Sequence, residues 1–246
     1  MKRKIYGLLA GALLCGALSA QAQIIKPADL EQYAKEKYGD KWVDAAANIV
    51  KGITLDKNQG LTYQQVIEAP GKSKQQLYVM MNYWVTATFK DNQAITLNDK
   101  ETGCIIINAT LDNIAKHTGG LNQYSVSITP LIKIDIKEGK IRVTYTVQNY
   151  DILRDISGGV IGAILLDDAG TFDDPKRKKK NITNRDLYDE SWPLNTCYPF
   201  VEKDTHTAKR TSAKELVMTH AYSNVVLDKV EEAVKNGVVG NENDDW

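Results

Sequence analysis

Three histidines, His117, His206 and His220, are the side chains of this 246-residue sequence whose unperturbed pKa lies nearest neutrality. A general base needs a group to orient it and a substrate within hydrogen-bond reach, so the surroundings of each histidine decide its use. His117 precedes Thr118-Gly119-Gly120 in a stretch read as a loop, where a general base is one option and a solvated or loop-stabilising imidazole is the expected one. His206 stands among polar residues and reads as surface. His220 falls on the apolar side of a C-terminal helix, where a hydrogen-bonded core histidine is expected. No G-x-S-x-G, H-E-x-x-H, G-x-x-x-x-G-K-[ST] or G-x-G-x-x-G occurs, and Gly158-Gly159-Val160-Ile161-Gly162 has its glycines at the wrong spacing. The pairs Asp167-Asp168 and Asp173-Asp174 lack the alternating ligands, central Gly and closing Glu of a calcium loop. No catalytic residue, metal or cofactor is therefore expected.

Binding chemistry is a stronger theme. Tyr188, Trp192, Tyr198 and Phe200, interleaved with Pro193 and Pro199, are candidate ligand-binding residues, because aromatics grip rings and apolar faces at low entropy cost. The competing and favoured reading is that they tuck their segment down against the domain. The run Lys176 to Lys180, flanked by acidic residues, is expected to be a solvated loop. Cys104 and Cys197 either form one disulfide, which would contribute about 2–4 kcal/mol, or stay as buried thiols. Both alternatives stand at this level.

The compartment follows from the first 22 residues. Lys2, Arg3 and Lys4 precede an apolar run from Ile5 to Leu18, and Ala20-Gln21-Ala22 supplies a small-x-small cleavage site. The run is shorter than the roughly 20 residues of a spanning helix. A signal peptide at 1–22 and export to the periplasm or cell envelope are expected, with no transmembrane anchor after cleavage. Removing Lys2, Arg3 and Lys4 leaves 28 basic against 31 acidic side chains, a net charge of −3. That balance argues against nucleic acid as a partner, which needs a basic footprint.

Four regions would position these residues. Residues 23–60 read as a helical segment broken near Gly39. A domain at 61–236 follows, with strand character from Leu61 to Glu68 and a capping box at Ser73 and Gln76 ahead of a helix faced by Leu77, Met81, Trp84, Val85 and Phe89. Ala94 to Asn98 and Cys104 to Leu111 read as strands. Ile132, Ile134 and Ile136 then alternate with Lys133, Asp135 and Lys137, and Glu138-Gly139 makes a two-residue turn. That turn sets Ile136 opposite Ile141, Ile134 opposite Val143, Ile132 opposite Tyr145 and Asp135 opposite Arg142, leaving one face dry and one wet. Residues 151–211 read as a long excursion before a helix over Ser212 to Asn236, and 237–246 as a tail. The fold class is α+β, an antiparallel sheet of about five strands with helices packed on one face.

Val66-Ile67-Glu68-Ala69-Pro70-Gly71-Lys72-Ser73-Lys74, Leu77-Tyr78, Trp84, Asp99-Lys100-Glu101-Thr102-Gly103 and the Ile134-to-Val147 hairpin with Gly139 and Arg142 carry a resemblance. Together they resemble a family of exported bacterial domains of unknown function with a fold like the TATA-box-binding protein. The resemblance implies the order strand, helix, four-strand meander, helix, and transfers no catalytic residue. The expected function is a non-catalytic binding or interaction module for a protein partner or an envelope ligand. It would be held by the polar sheet face or by the aromatic excursion. The runner-up is an envelope-polymer hydrolase using carboxylates such as Glu68 or Asp99.

Overall fold

Alternating isoleucines and polar residues build the centre of the molecule. In the computed structural model, which describes residues 24–89, 94–117, 123–155, 178–182, 185–200 and 212–237, β6 (Leu131–Lys137) and β7 (Lys140–Val147) pair in the register that the sequence predicts. Ile134 faces Val143, and Asp135 faces Arg142. Gly139 holds φ +69° in the tight turn, a conformation that a Cβ would strain. The isoleucines are buried, while Asp135 bridges Lys133 at 2.9 Å and Arg142 at 2.7 Å on the wet face.

This hairpin is the middle of a five-stranded sheet in the order β1-β7-β6-β3-β2, with β1 Leu61–Glu68, β2 Ile95–Asp99 and β3 Cys104–Asn108. A second five-stranded sheet has the order β4-β5-β8-β10-β9. Its strands are β4 Leu111–His117, β5 Gln123–Ile128, β8 Asn149–Asp155, β9 Lys178–Ile182 and β10 Arg185–Pro193. The two sheets share three lengths of chain. β3 continues into β4 across Ala109 and Thr110, β5 into β6 across Thr129 and Pro130, and β7 into β8 across Gln148. At this corner the Ala109 amide donates to the Pro130 carbonyl at 3.0 Å. Pro130 has no N–H to give a ladder, so a corner is where a proline fits.

Helices cover one side. α3 (Lys74–Thr88) starts at the expected capping box, with the Gln76 amide donating to Ser73 Oγ at 3.2 Å and the Ser73 amide to Gln76 Oε1 at 2.8 Å. It buries Leu77, Met81, Trp84 and Val85 against the sheet. The long α5 (Ala213–Asn236) packs on α3, β1 and β4, and carries α1 (Pro27–Tyr38) and α2 (Trp42–Val50) on its flank. The antiparallel sheets with one-sided helices make an α+β fold.

Two expectations change. The stretch through His117, read as a loop, is strand β4, whose register shifts between Leu111 and Ala115. The described parts of the 151–211 excursion are not irregular either: they are the end of β8, then β9, β10 and the short helix α4 (Leu194–Cys197). β10 was unreadable because its partner β8 lies some 40 residues earlier, and no local period announces such a pairing.

Candidate functional site

The two faces of the second sheet have opposite chemistry. Outward, Ser127, Asp151 and Ser191 form one row across β5, β8 and β10, and Ser125, Leu153 and Asp189 the next. With Thr110, Asp112 and Asn113 they line a groove of about 600 Å³. Asn113 adopts φ +57° at the β4 irregularity, which lets the strand bend around the groove end. Enclosure by the groove walls pushes the Asp151 carboxyl above the usual carboxylate range, and Asp112 and Asp189 push the same way. The Thr129 hydroxyl, donating to Asp151 at 3.1 Å, opposes them. From Asp151 a second depression of about 340 Å³ crosses the corner past Thr129, Thr146 and Gln148. Hydroxyls, an amide and carboxylates beside Ile152 and Leu153 suit a ligand rich in hydrogen-bonding groups. Among the described residues no cluster of three or more His, Cys, Asp or Glu could hold a metal.

The inner face of the same sheet carries His117, Tyr124 and Arg154 in one register row across β4, β5 and β8. His117 stacks on Tyr124 with ring centroids 4.3 Å apart, and the Arg154 guanidinium lies 6.0 Å from the Tyr124 ring. Arg154 also pairs with Glu190 at 3.1 Å. From α5, the fully buried Glu215 places Oε1 3.1 Å from His117 Nε2. Burial pushes the Glu215 carboxyl up, and His117 pulls it back. Burial likewise takes the Tyr124 hydroxyl up to about 12. An imidazole held by a buried carboxylate resembles the orienting half of a catalytic triad. No nucleophile is positioned by a recorded contact with His117 among the described residues, and the pair ties the start of α5 to the end of β4.

Two of the four candidate aromatics lie inside the molecule. Phe200 is fully buried and Trp192 is 4% exposed. Trp192 packs edge-on against Tyr124, and half-buried Tyr198 edge-on against Phe200 at 6.1 Å. Trp192 and Phe200 therefore pack into the domain, because a large ring gains most when it leaves water. Tyr188 lies in β10, and its side chain is outside the described residues. Cys104 begins β3 and Cys197 ends α4, both buried, with no disulfide between them. His117 is not a solvated loop residue but the partner of Glu215. His220 is hydrogen-bonded to the Tyr63 hydroxyl through Nδ1 at 2.9 Å, and burial takes its pKa down to about 4. Glu68 is exposed at the end of β1, and Asp99 accepts hydrogen bonds from Glu101 and Thr102 in the β2–β3 turn, so these carboxylates do not converge on a site. Residues 1–22, His206, the acidic pairs at 167–174 and residues 238–246 lie outside the described residues, as do the side chains of Lys178, Lys179 and Lys180.

The groove residues were missed for a definable reason. Ser125 and Ser127 alternate with Val126 and Ile128, a visible period of two, and such hydroxyls read as an ordinary wet face until a corner makes that face concave.

Residues 63–151 match a domain of unknown function with TBP-like fold, DUF4468, which covers the strand, helix and meander on which the resemblance was read. Two solved structures are similar to this chain. A TBP-like protein from Parabacteroides distasonis ATCC 8503 has 13% identity and a TM-score of 0.43, covering 74% of this chain and 96% of its own. A DUF4468 family protein from Bacteroides ovatus ATCC 8483 has 15% identity and a TM-score of 0.46, covering 73% and 89%. No curated protein matches the chain.

Proposed function

We propose that this is an exported, non-catalytic binding module of the periplasm or cell envelope, and that the outward groove of its second sheet holds the ligand. The groove of about 600 Å³, built from Ser125, Ser127, Asp151, Asp189 and Ser191 on three neighbouring strands, carries the reading. Export rests on the charged, apolar and small-x-small order of residues 1–22. The ligand class is one rich in hydroxyl or amide groups, such as a glycan or a cell-wall fragment. Nucleic acid is disfavoured, since the groove is acidic and lacks the apolar wedges that minor-groove binding uses.

A thermal-shift panel of glycans, cell-wall fragments, lipids and short DNA on residues 23–246 tests this. A ligand at about 100 times its Kd adds roughly 2.7 kcal/mol, and each kcal/mol moves a domain of this size by about 2–4 °C. The expected result is a shift of several degrees from one polar class, abolished by Ser127→Leu. A flat panel, or a shift that Ser127→Leu leaves intact, removes the groove as the site.

The runner-up, hydrolysis of an envelope polymer, has one observation behind it. Asp151, exposed in the groove, has its carboxyl raised mainly by enclosure, with Asp112 and Asp189 adding to it, and would be the general acid of such a reaction. Turnover of a cell-wall glycan, lost in Asp151→Asn with binding retained, would replace the binding reading.

A further inference from the structure

An open sheet has edges, and an edge strand offers unpaired N–H and C=O groups to any extended chain that reaches it. Four strands bound the two sheets among the described residues, and three carry a device that discourages pairing. β2 is five residues long with a register shift between Ile95 and Leu97. β4 shifts register between Leu111 and Ala115, with Asn113 at positive φ. β9 is five residues long and begins with Lys178, Lys179 and Lys180. β1 is different. It runs eight residues in unbroken register with β7 and contains no proline, lysine or arginine.

The hydrogen-bond side of each β1 residue follows from its end. The Ala69 amide donates to the Gly139 carbonyl at 2.8 Å in continuation of the β1–β7 register, so Ile67, Gln65 and Tyr63 also turn their backbone groups toward β7. Gln64, Val66 and Glu68 turn theirs outward. The beginning of the edge is closed, because Leu55 bridges Leu61 and the Asp56 carboxylate takes the Thr62 hydroxyl at 2.7 Å. Beyond Thr62 no recorded backbone bond covers the outward groups among the described residues. Val66 in the middle of the open stretch is 50% exposed, an apolar side chain beside the charged groups of Lys140 and Arg142.

We propose that β1 is a strand-addition edge and that its occupant is β1 of a second copy, paired antiparallel about a two-fold axis through Val66. This register is self-complementary. Val66 meets Val66 of the partner subunit, and Gln64 meets Glu68 of the partner subunit on either side. Every outward N–H and C=O of these residues then finds a mate, the exposed valine is covered, and no two like charges stand directly opposite. A register centred one residue either way leaves outward groups unmatched. The interface is isologous, as closed two-fold dimers require, and joins the first sheets of two copies edge to edge. A strand pair alone buries less than a standard interface, so the dimer forms progressively as concentration rises.

Sedimentation velocity of the full chain across a concentration series, with amide exchange at the lowest and highest concentrations, tests this. The expected result is a monomer–dimer equilibrium in which the Gln64, Val66 and Glu68 amides gain protection with concentration. Val66→Lys places like charges at the axis and abolishes the dimer, while the melting temperature stays near that of the wild type. Val66→Pro, which removes an outward donor and leaves the β7 ladder intact, gives the same monomer by a different route. Val66→Cys cross-links between subunits under oxidation, since hydrogen-bonded partners lie about 5.5 Å apart at Cα, within disulfide range. A chain that stays monomeric up to about the millimolar range overturns the proposal and leaves the edge to an extended peptide of another protein. A dimer that Val66→Lys leaves unchanged also overturns it, and places the contact elsewhere on the surface.

Discussion

The same three lengths of chain run through both sheets, yet the two halves bury different chemistry. In the first sheet the helix-facing side is aliphatic at its centre, with Ile105, Ile107, Ile132, Ile134, Ile136, Ile141 and Val143 under α3 and α5. In the second, the same side ends in His117, Tyr124, Arg154 and Glu190, closed by the buried carboxylate of Glu215. The outward sides differ as well. Lys133 and Arg142 clasp Asp135 on the first, and Asp112, Asp151 and Asp189 stand in a groove on the second. One half is thus held by non-directional burial, which tolerates small shifts, and the other by polar pairs that need geometry. Groove and histidine–glutamate pair both fall in the half that depends on geometry.

Four experiments sharpen or break that comparison. Ile134→Ala, at the dry centre of the first sheet, should lower the free energy of unfolding by about 3 kcal/mol in urea titrations, through lost burial and the cavity left behind. A loss under about 1 kcal/mol would mean that this half is not the apolar anchor. His117→Ala should cost about 2 kcal/mol, because it strands the Glu215 carboxylate in the interior, although the half-exposed imidazole moderates the effect. A double-mutant cycle with Glu215→Gln isolates the pair, and zero coupling would reduce it to a packing contact.

Acid should act on the two halves in opposite directions. His220 beside Tyr63 has a folded pKa of about 4 against an unfolded value near 6.5, so its stabilising neutral state is complete above about pH 6.5 and is lost as pH falls toward 4. Glu215 is raised, so its own contribution improves as pH falls through its folded value. Melting temperatures between about pH 7.5 and 4 should therefore drop less in His220→Gln than in the wild type. An identical slope would remove His220 from the acid response. The smallest effect belongs to Asp135→Asn on the wet face of the first sheet. A cost under about 1 kcal/mol is expected, shrinking further in high salt, as for exposed ion pairs generally.

Legibility in the sequence follows the same division. The hairpin register, the Ser73–Gln76 capping box, the apolar face of α3 and the extent of α5 to Asn236 are all carried by residues within a few positions of one another. Their period and their turn chemistry agree, so a local reading reaches them. His117 looked like a loop residue because the glycines after it are the stronger local signal, and nothing nearby announces Glu215, 98 positions along the chain. Trp192 and Phe200, open in the sequence to a binding reading or to the favoured packing one, were undecided for a related reason: an aromatic among prolines carries the same sequence signature whether it faces solvent or core.

From its sequence alone the protein was committed to an α+β fold, to one face of alternating isoleucines and to the helix that begins at Ser73. Each of these is a matter of spacing along a single stretch of chain. Tertiary structure decided what spacing leaves open. It bent three strands at Pro130 and its neighbours into two sheets, drew β10 onto β8, sank Glu215 beside His117 and hollowed a row of serines and aspartates into a groove. The physical reason is that burial and concavity belong to pairs of distant surfaces, and a polar residue reveals which kind of surface it serves only when its partner arrives.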